Sequence, residues 1–221
     1  MALGILAIGG YLPKARLQRT DIANANAWFN PALKGLAKGE RTMANWDEDS
    51  VTMAVEAGRD CLTGIDRNIV AGIYMASTSF PFQDRQNAGI VADALNLSTR
   101  IQTLDISSSQ RAGSSALLTA LQSVRSVEGP ILVSASEKRR ARAASPLELT
   151  TGDGAAAVLV GEGEPIAHYI GGHSEAVDFV DHYRGEGEAF DYNWEERWVR
   201  DEGYMKIVPN AINNLLDKVG V

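Results

Sequence analysis

Apolar residues in this chain come in two patterns that take turns: short dense runs and helically spaced stripes. LGILAI (3–8) is a dense run closed by Gly9-Gly10 and Pro13, which predicts a buried strand and a turn. Thr20 or Asp21 then opens a helix through about Phe29. Val51, Ala54, Val55, Cys61 and Leu62 recur at helical spacing behind Asp49 or Ser50, either of which suits an N-cap. Ile69 to Ala76 has the Val/Ile/Tyr content of a central strand. A helix from about Asn87 to Leu95 and a strand at 101–106 follow. Next comes a second helical stripe: Ala112, Ala116, Leu117, Ala120, Leu121 and Val124. Pro130 precedes the strand-like run 131–136, and Thr151-Gly152-Asp153-Gly154 turns the chain into the apolar strand AAAVLVG. Alternation through 166–180 predicts a further strand, and 207–219 an amphipathic helix. Strands interleaved with helices in this way predict an α/β fold.

The junction between strand 101–106 and the helix after it is where chemistry is expected. Ser107, Ser108 and Ser109 supply hydroxyls suited to the N-cap, and a side chain at Ser109 or Gln110 would face backbone N–H groups left unsatisfied at the helix start. Such groups favour developing negative charge, as in an oxyanion site. The same periodicity equally describes a capped core helix.

Composition narrows the classes. With 221 residues, 45% of them apolar, the chain can bury a substantial core in one or two domains. Its 21 basic and 28 acidic residues give a net charge of −7, which argues against nonspecific binding to nucleic acid or an anionic membrane. No apolar run approaches the roughly 18 residues that span a bilayer, and the N-terminus lacks the basic start of a signal peptide. Cys61 is the only cysteine, so no intrachain disulfide forms, as expected of a cytoplasmic protein. Its place on an apolar helical face predicts a buried, inert thiol. His168, His173 and His182 show no metal-ligand spacing, and no metal is expected. Glu137-Lys138-Arg139-Arg140-Ala141-Arg142 is either a basic contact or a solvated loop. The aromatic and charged stretch from Tyr183 to Tyr204 suits a cap over a ligand tunnel, a subunit contact or an amphipathic surface.

DISSSQRAGSSALLTAL (105–121) resembles the nucleophile segment of the thiolase superfamily, in its 3-hydroxy-3-methylglutaryl-CoA synthase and ketoacyl synthase III branch. Asp105, Gly113, Ala116 and Leu117 fall on that pattern. Gln110 stands where the family carries its nucleophilic cysteine, with Arg111 beside it. DEDSVTMAVEA (47–57), ELTTGDGAAAVLVG (148–161) and WEERWVRDEGY (194–204) are similar to further segments of the same branch. The resemblance implies a thiolase-like half, βαβαβαββ, with a mixed five-stranded sheet and a buried central helix over residues 1–172. A cap or linker at 173–221 would lead to an absent second half. Ser77-Thr78-Ser79 stands where the synthases have a Thr-Glu-Ser motif, so the resemblance puts Thr78 at the place of their general acid/base. Thr78 cannot shuttle a proton as a carboxylate does. Asp84 nearby is a possible substitute, weighed against a cap or a solvated charge.

Gln110, Ser109 and Thr78 are therefore the catalytic candidates. Trp28, Lys38, Arg41 and Arg139 are candidates for contacting a coenzyme A thioester, against the plainer alternative of solvated basic loops. The implied function is handling of an acyl-CoA in carbon–carbon bond formation or cleavage, of synthase-like, aldolase or decarboxylase type, without a cysteine acyl-enzyme. The alternatives are a non-catalytic subunit of a hetero-oligomeric acyl-CoA complex and a fragment of a longer synthase-like protein. A lone half would leave an apolar face open, so association is expected, either with itself, with a second thiolase-like chain or with a small acyl-CoA-binding partner. The strand at Ile131–Ser136 is the expected contact.

Overall fold

The structure, a computed structural model, describes residues 1–220. Two compact units make up the chain: Met1–Arg139 with Ala143–Tyr169, and Arg140–Arg142 with Ile170–Val221.

In the first unit the elements run β1 (Ala2–Tyr11), β2 (Ala15–Gln18), α1 (Arg19–Asn26), β3 (Glu40–Met43), α2 (Ser50–Cys61), β4 (Gly72–Ala76), α3 (Asn87–Ala94), β5 (Gln102–Ile106), α4 (Ala112–Val127), β6 (Ile131–Glu137), α5 (Leu147–Thr150), β7 (Gly154–Gly163) and β8 (Ala167–His168). Six strands form one mixed sheet in the order β5-β4-β6-β7-β1-β8, and β2 pairs with β3 as a separate hairpin. β4 runs parallel to β5 and β6, whereas β7 is antiparallel to β6 and β1. Five long strands match the expected sheet, and the two-residue β8 is added at its edge.

Both faces of the sheet are covered, as its densely apolar strands require. Successive side chains of a strand point to opposite faces. Ile73, Met75, Leu132, Ala157 and Leu159 accordingly pack with α2 and α3, while Tyr74, Ala76, Ile131, Val133 and Val160 pack with α4. The result is three layers with α4 against the middle of one face.

Local chemistry fixes the helices. Asp49 caps α2 by accepting from the backbone N–H of Thr52 at 2.8 Å, and the Thr52 hydroxyl accepts from the Asp49 N–H at 2.8 Å, a reciprocal capping box. α2 sits so close to β1 that a Cβ on Gly9 would lie 2.2 Å from the Cys61 nitrogen and 2.6 Å from the Ala57 oxygen. α3 starts against β5. The Asp105 carboxylate accepts from the backbone N–H groups of Asn87 and Ala88, both at 2.7 Å, and from the Asn87 side-chain amide at 2.9 Å.

Three expectations change. The strand expected through 166–180 is confined to Ala167–His168, because the apolar positions of the alternation find no core to face: Ile166, Ile170 and Val177 are all exposed. Gly4 pairs with His168, and the last ladder bond runs from the Tyr169 N–H to the Leu3 carbonyl at 2.9 Å. The serines do not cap α4; Arg111 occupies the N-cap position, without a side-chain cap bond. Ile131–Glu137 cannot be an association edge, since β4 and β7 use its backbone on both sides. The outer strand on that side of the sheet is β5.

In the second unit β9 (His182–Tyr183) pairs with β10 (Tyr192–Asn193). Three helical segments follow without a break: α6 (Glu196–Trp198), a π-helical stretch (Val199–Tyr204) and α7 (Met205–Val219). Phe179 stacks on Trp198 with ring centroids 4.6 Å apart. Val208, Ile212 and Leu216 on α7 are exposed. No helix among the described residues is long and apolar enough to cross a membrane.

Candidate active site

The carboxyl ends of parallel strands are where open α/β sheets gather ligand-binding groups. In the first unit a cavity of about 610 Å³ opens there. Ala76 and Ser77 at the end of β4, Ala135 to Glu137 at the end of β6, and Gly154 to Ala156 at the start of β7 form one wall. Gln110, Ala112 and Gly113 bring in the first turn of α4, and Arg19, Arg41 and Thr42 add the β2–β3 hairpin side.

Gln110 reaches this cavity through a sharp turn. Ser108 adopts a left-handed backbone, φ +68°, which a non-glycine residue holds only at a cost of about 1–2 kcal/mol. The Ser109 hydroxyl then accepts from the Arg111 N–H at 3.2 Å, and the Ser109 carbonyl accepts from the Ala112 N–H at 2.9 Å. Ser109 thus builds the turn and does not line the cavity. The amide of Gln110 and the positive end of α4 together suit an oxygen that gains negative charge.

The loop after β4 is tied to the end of β6 by one carboxylate. Glu137 accepts from the Thr78 N–H at 2.6 Å, the Thr78 hydroxyl at 3.1 Å and the Ser79 hydroxyl at 2.8 Å. The Ser79 hydroxyl also lies 3.3 Å from that of Ser77, and it accepts from the Lys138 N–H at 2.9 Å. Thr78 is held beside the cavity through Glu137 and is not part of its lining. Sequence reasoning missed Glu137 by grouping it with the basic run that follows. Only the parallel pairing of β4 with β6, which aligns their carboxyl ends, reveals it.

Beside the β2–β3 hairpin Asp153, 6% exposed, accepts from the Ala44 N–H at 2.8 Å and lies 4.0 Å from an Arg41 guanidinium nitrogen. Arg41 also donates to the Glu148 carbonyl at 2.8 Å. A Cβ on Gly152 would fall 2.6 Å from the Thr42 hydroxyl, so the turn needs glycine there. Two polar atoms of this cavity are buried with no hydrogen-bond partner, Arg41 Nε and Ser136 Oγ.

Of the sequence candidates the structure brings together Gln110 and Arg41, with Thr78 adjoining. Trp28 is 83% exposed and meets Phe29 edge-on, and neither it nor Lys38 nor Arg139 lines the cavity. Asp84 is exposed. Cys61 faces the layer of α2 and α3 and is 2% exposed, and burial pushes its thiol up to about 11. No group of three His, Cys, Asp or Glu suited to a metal occurs among the described residues.

The fold and its sequence have known counterparts. Hydroxymethylglutaryl-CoA synthase of Methanocaldococcus jannaschii is 30% identical over 222 residues, covering 98% of this chain and 64% of its own length. That of Methanococcus maripaludis is 31% identical over 225 residues, 99% of this chain and 64% of its own. Among solved structures, an HMG-CoA synthase complexed with CoA superposes with a TM-score of 0.86 at 23% identity, over 100% of this chain and 57% of that one. Xanthomonas campestris OleA H285A gives 0.85 at 18% identity, over 100% and 74%. The chain is a thiolase-fold relative of the hydroxymethylglutaryl-CoA synthases. No protein-family model matches it. It spans 64% of the length of the two synthases named above.

Proposed function

We propose that this synthase relative binds a coenzyme A thioester in the cavity and makes or breaks a carbon–carbon bond without an acyl-enzyme. The observation that carries this is the character of the lining: Gln110 and the first turn of α4 face the cavity, and no thiol does. The one cysteine is buried in another layer. A carboxamide cannot be acylated as a thiolate is, but its N–H₂ donates to a thioester oxygen and stabilises the charge that oxygen gains on enolisation. The likeness to HMG-CoA synthases, one of them solved with CoA, supports the substrate class. Trp28, Lys38 and Arg139 remain candidates for the outer parts of the nucleotide.

A second reading, a non-catalytic subunit of an acyl-CoA complex, is favoured by Thr78 in place of a carboxylate and by the exposed Val208, Ile212 and Leu216 of α7. Both readings include association, with a second copy, a second thiolase-like chain or a small acyl-CoA-binding protein. The test is native mass and subunit composition of the tagged protein from its own cells, followed by acyl-CoA turnover. Turnover abolished by Gln110→Ala, with no acyl adduct on the intact protein, supports the enzyme. Acyl-CoA turnover by the complex that is unaffected by Gln110→Ala supports the subunit.

A further inference from the structure

The proton-transfer group absent at position 78 is, we propose, Glu137. Its role rests on the acyl-CoA reading of the cavity. Three carboxylates line that cavity: Glu40, Asp153 and Glu137. Glu40 is engaged on the β2–β3 hairpin with Arg16 at 3.5 Å and Gln18 at 3.1 Å. Asp153 is buried against the Ala44 N–H and the Arg41 guanidinium. Glu137 stands at the carboxyl end of β6, the end of the sheet at which Gln110 and α4 enter the lining. It is half-buried, and its donors are mostly hydroxyls, which can turn from donating to accepting when the carboxyl takes up a proton. The Ser77, Ser79 and Glu137 side chains form a continuous hydrogen-bonded row whose first member also lines the cavity. Next to Glu137, the buried Ser136 hydroxyl lines the same cavity with no partner.

In the step assigned to it, the Glu137 carboxylate takes a proton from the carbon α to the thioester carbonyl. The C–H electron pair becomes the enolate, with its charge on the thioester oxygen facing Gln110. The enolate carbon then bonds to the carbonyl carbon of a second acyl compound. The carbonyl π pair moves to oxygen, which recovers the proton from Glu137. Run backwards, the same steps cleave a β-hydroxyacyl-CoA. No co-reactant is consumed, and no acyl-enzyme forms.

The experiment uses the protein as isolated, with any chain that co-purifies, and acetyl-CoA in D₂O. Binding is read by calorimetry and deuterium entry into the acetyl group by mass spectrometry. Wild type is expected to bind and exchange, whereas Glu137→Gln keeps binding within about threefold and exchanges at least about 100-fold more slowly. Glu137→Gly with added formate or acetate should regain part of the rate, and more with the stronger base acetate, a dependence on basicity that a purely structural tie would not give. Should Glu137→Gln fail to fold, Glu137→Asp serves, with exchange lowered and binding kept. Exchange at the wild-type rate in a Glu137 variant overturns the assignment, as does wild type that binds acetyl-CoA without exchanging it. Wild type that does not bind acetyl-CoA defeats the acyl-CoA reading itself, a result told apart by the calorimetry.

Discussion

Asp105 lies on the segment that resembles the thiolase nucleophile motif, yet its contacts are those of a strut. Its two carboxylate oxygens receive the Asn87 N–H, the Ala88 N–H and the Asn87 amide, all within 2.9 Å, and so hold the start of α3 against β5. Asn87 is 1% exposed, so removing the acceptor strands its N–H away from water. A hydrogen bond to a charged group contributes about 1.5–3 kcal/mol, and a stranded buried donor costs about 1–3 kcal/mol. Sharing among three donors makes these less than additive, and Asp105→Ala is expected to cost roughly 3–5 kcal/mol. Asp105→Asn keeps one acceptor oxygen but turns an N–H₂ toward a donor, and should cost roughly 2 kcal/mol. Urea unfolding followed by far-UV circular dichroism measures both. Two results would refute the reasoning: Asp105→Ala within about 0.5 kcal/mol of wild type, or Asn no better tolerated than Ala.

Gly9→Ala should destabilise by about 3 kcal/mol or more, since the new methyl would meet α2 backbone rather than a side chain that can turn aside. A fall of roughly 6–12 °C in Tm is the expected reading. Cys61 should resist a thiol reagent in the native protein and react once unfolded, being buried with its thiol pushed up to about 11. The same shift has a sign for stability. The folded value lies above the ordinary 9.0, so its contribution, on the order of 2–3 kcal/mol, is intact below pH 9 and lost as pH rises through about 11. Alkaline unfolding curves of wild type and Cys61→Ala should therefore converge, and parallel curves would show that the thiol plays no part.

The core was legible because its signal is local. The dense apolar runs that form β4, β6 and β7 and the helical stripes of α2 and α4 each named residues that the structure buries. The Asp49 cap was legible for the same local reason. What escaped was non-local. Glu137 looks like the first residue of a charged run until the pairing of β4 with β6 sets it against Thr78 and Ser79. The serines before α4 look like caps, but the turn through Ser108 moves the helix start to Ala112. Alternation in 166–180 had no way to report that its apolar positions, Ile166, Ile170 and Val177, face no core.

The central claim is that an acyl-CoA sits in the cavity with its thioester at Gln110. Calorimetric titration of acetyl-CoA into wild type and Gln110→Ala, both checked for folding, tests it most directly. Wild type should bind, and loss of one amide–carbonyl hydrogen bond, about 1.4 kcal/mol, should weaken binding about tenfold. Equal affinity in the two proteins, or no binding by wild type, would contradict the account.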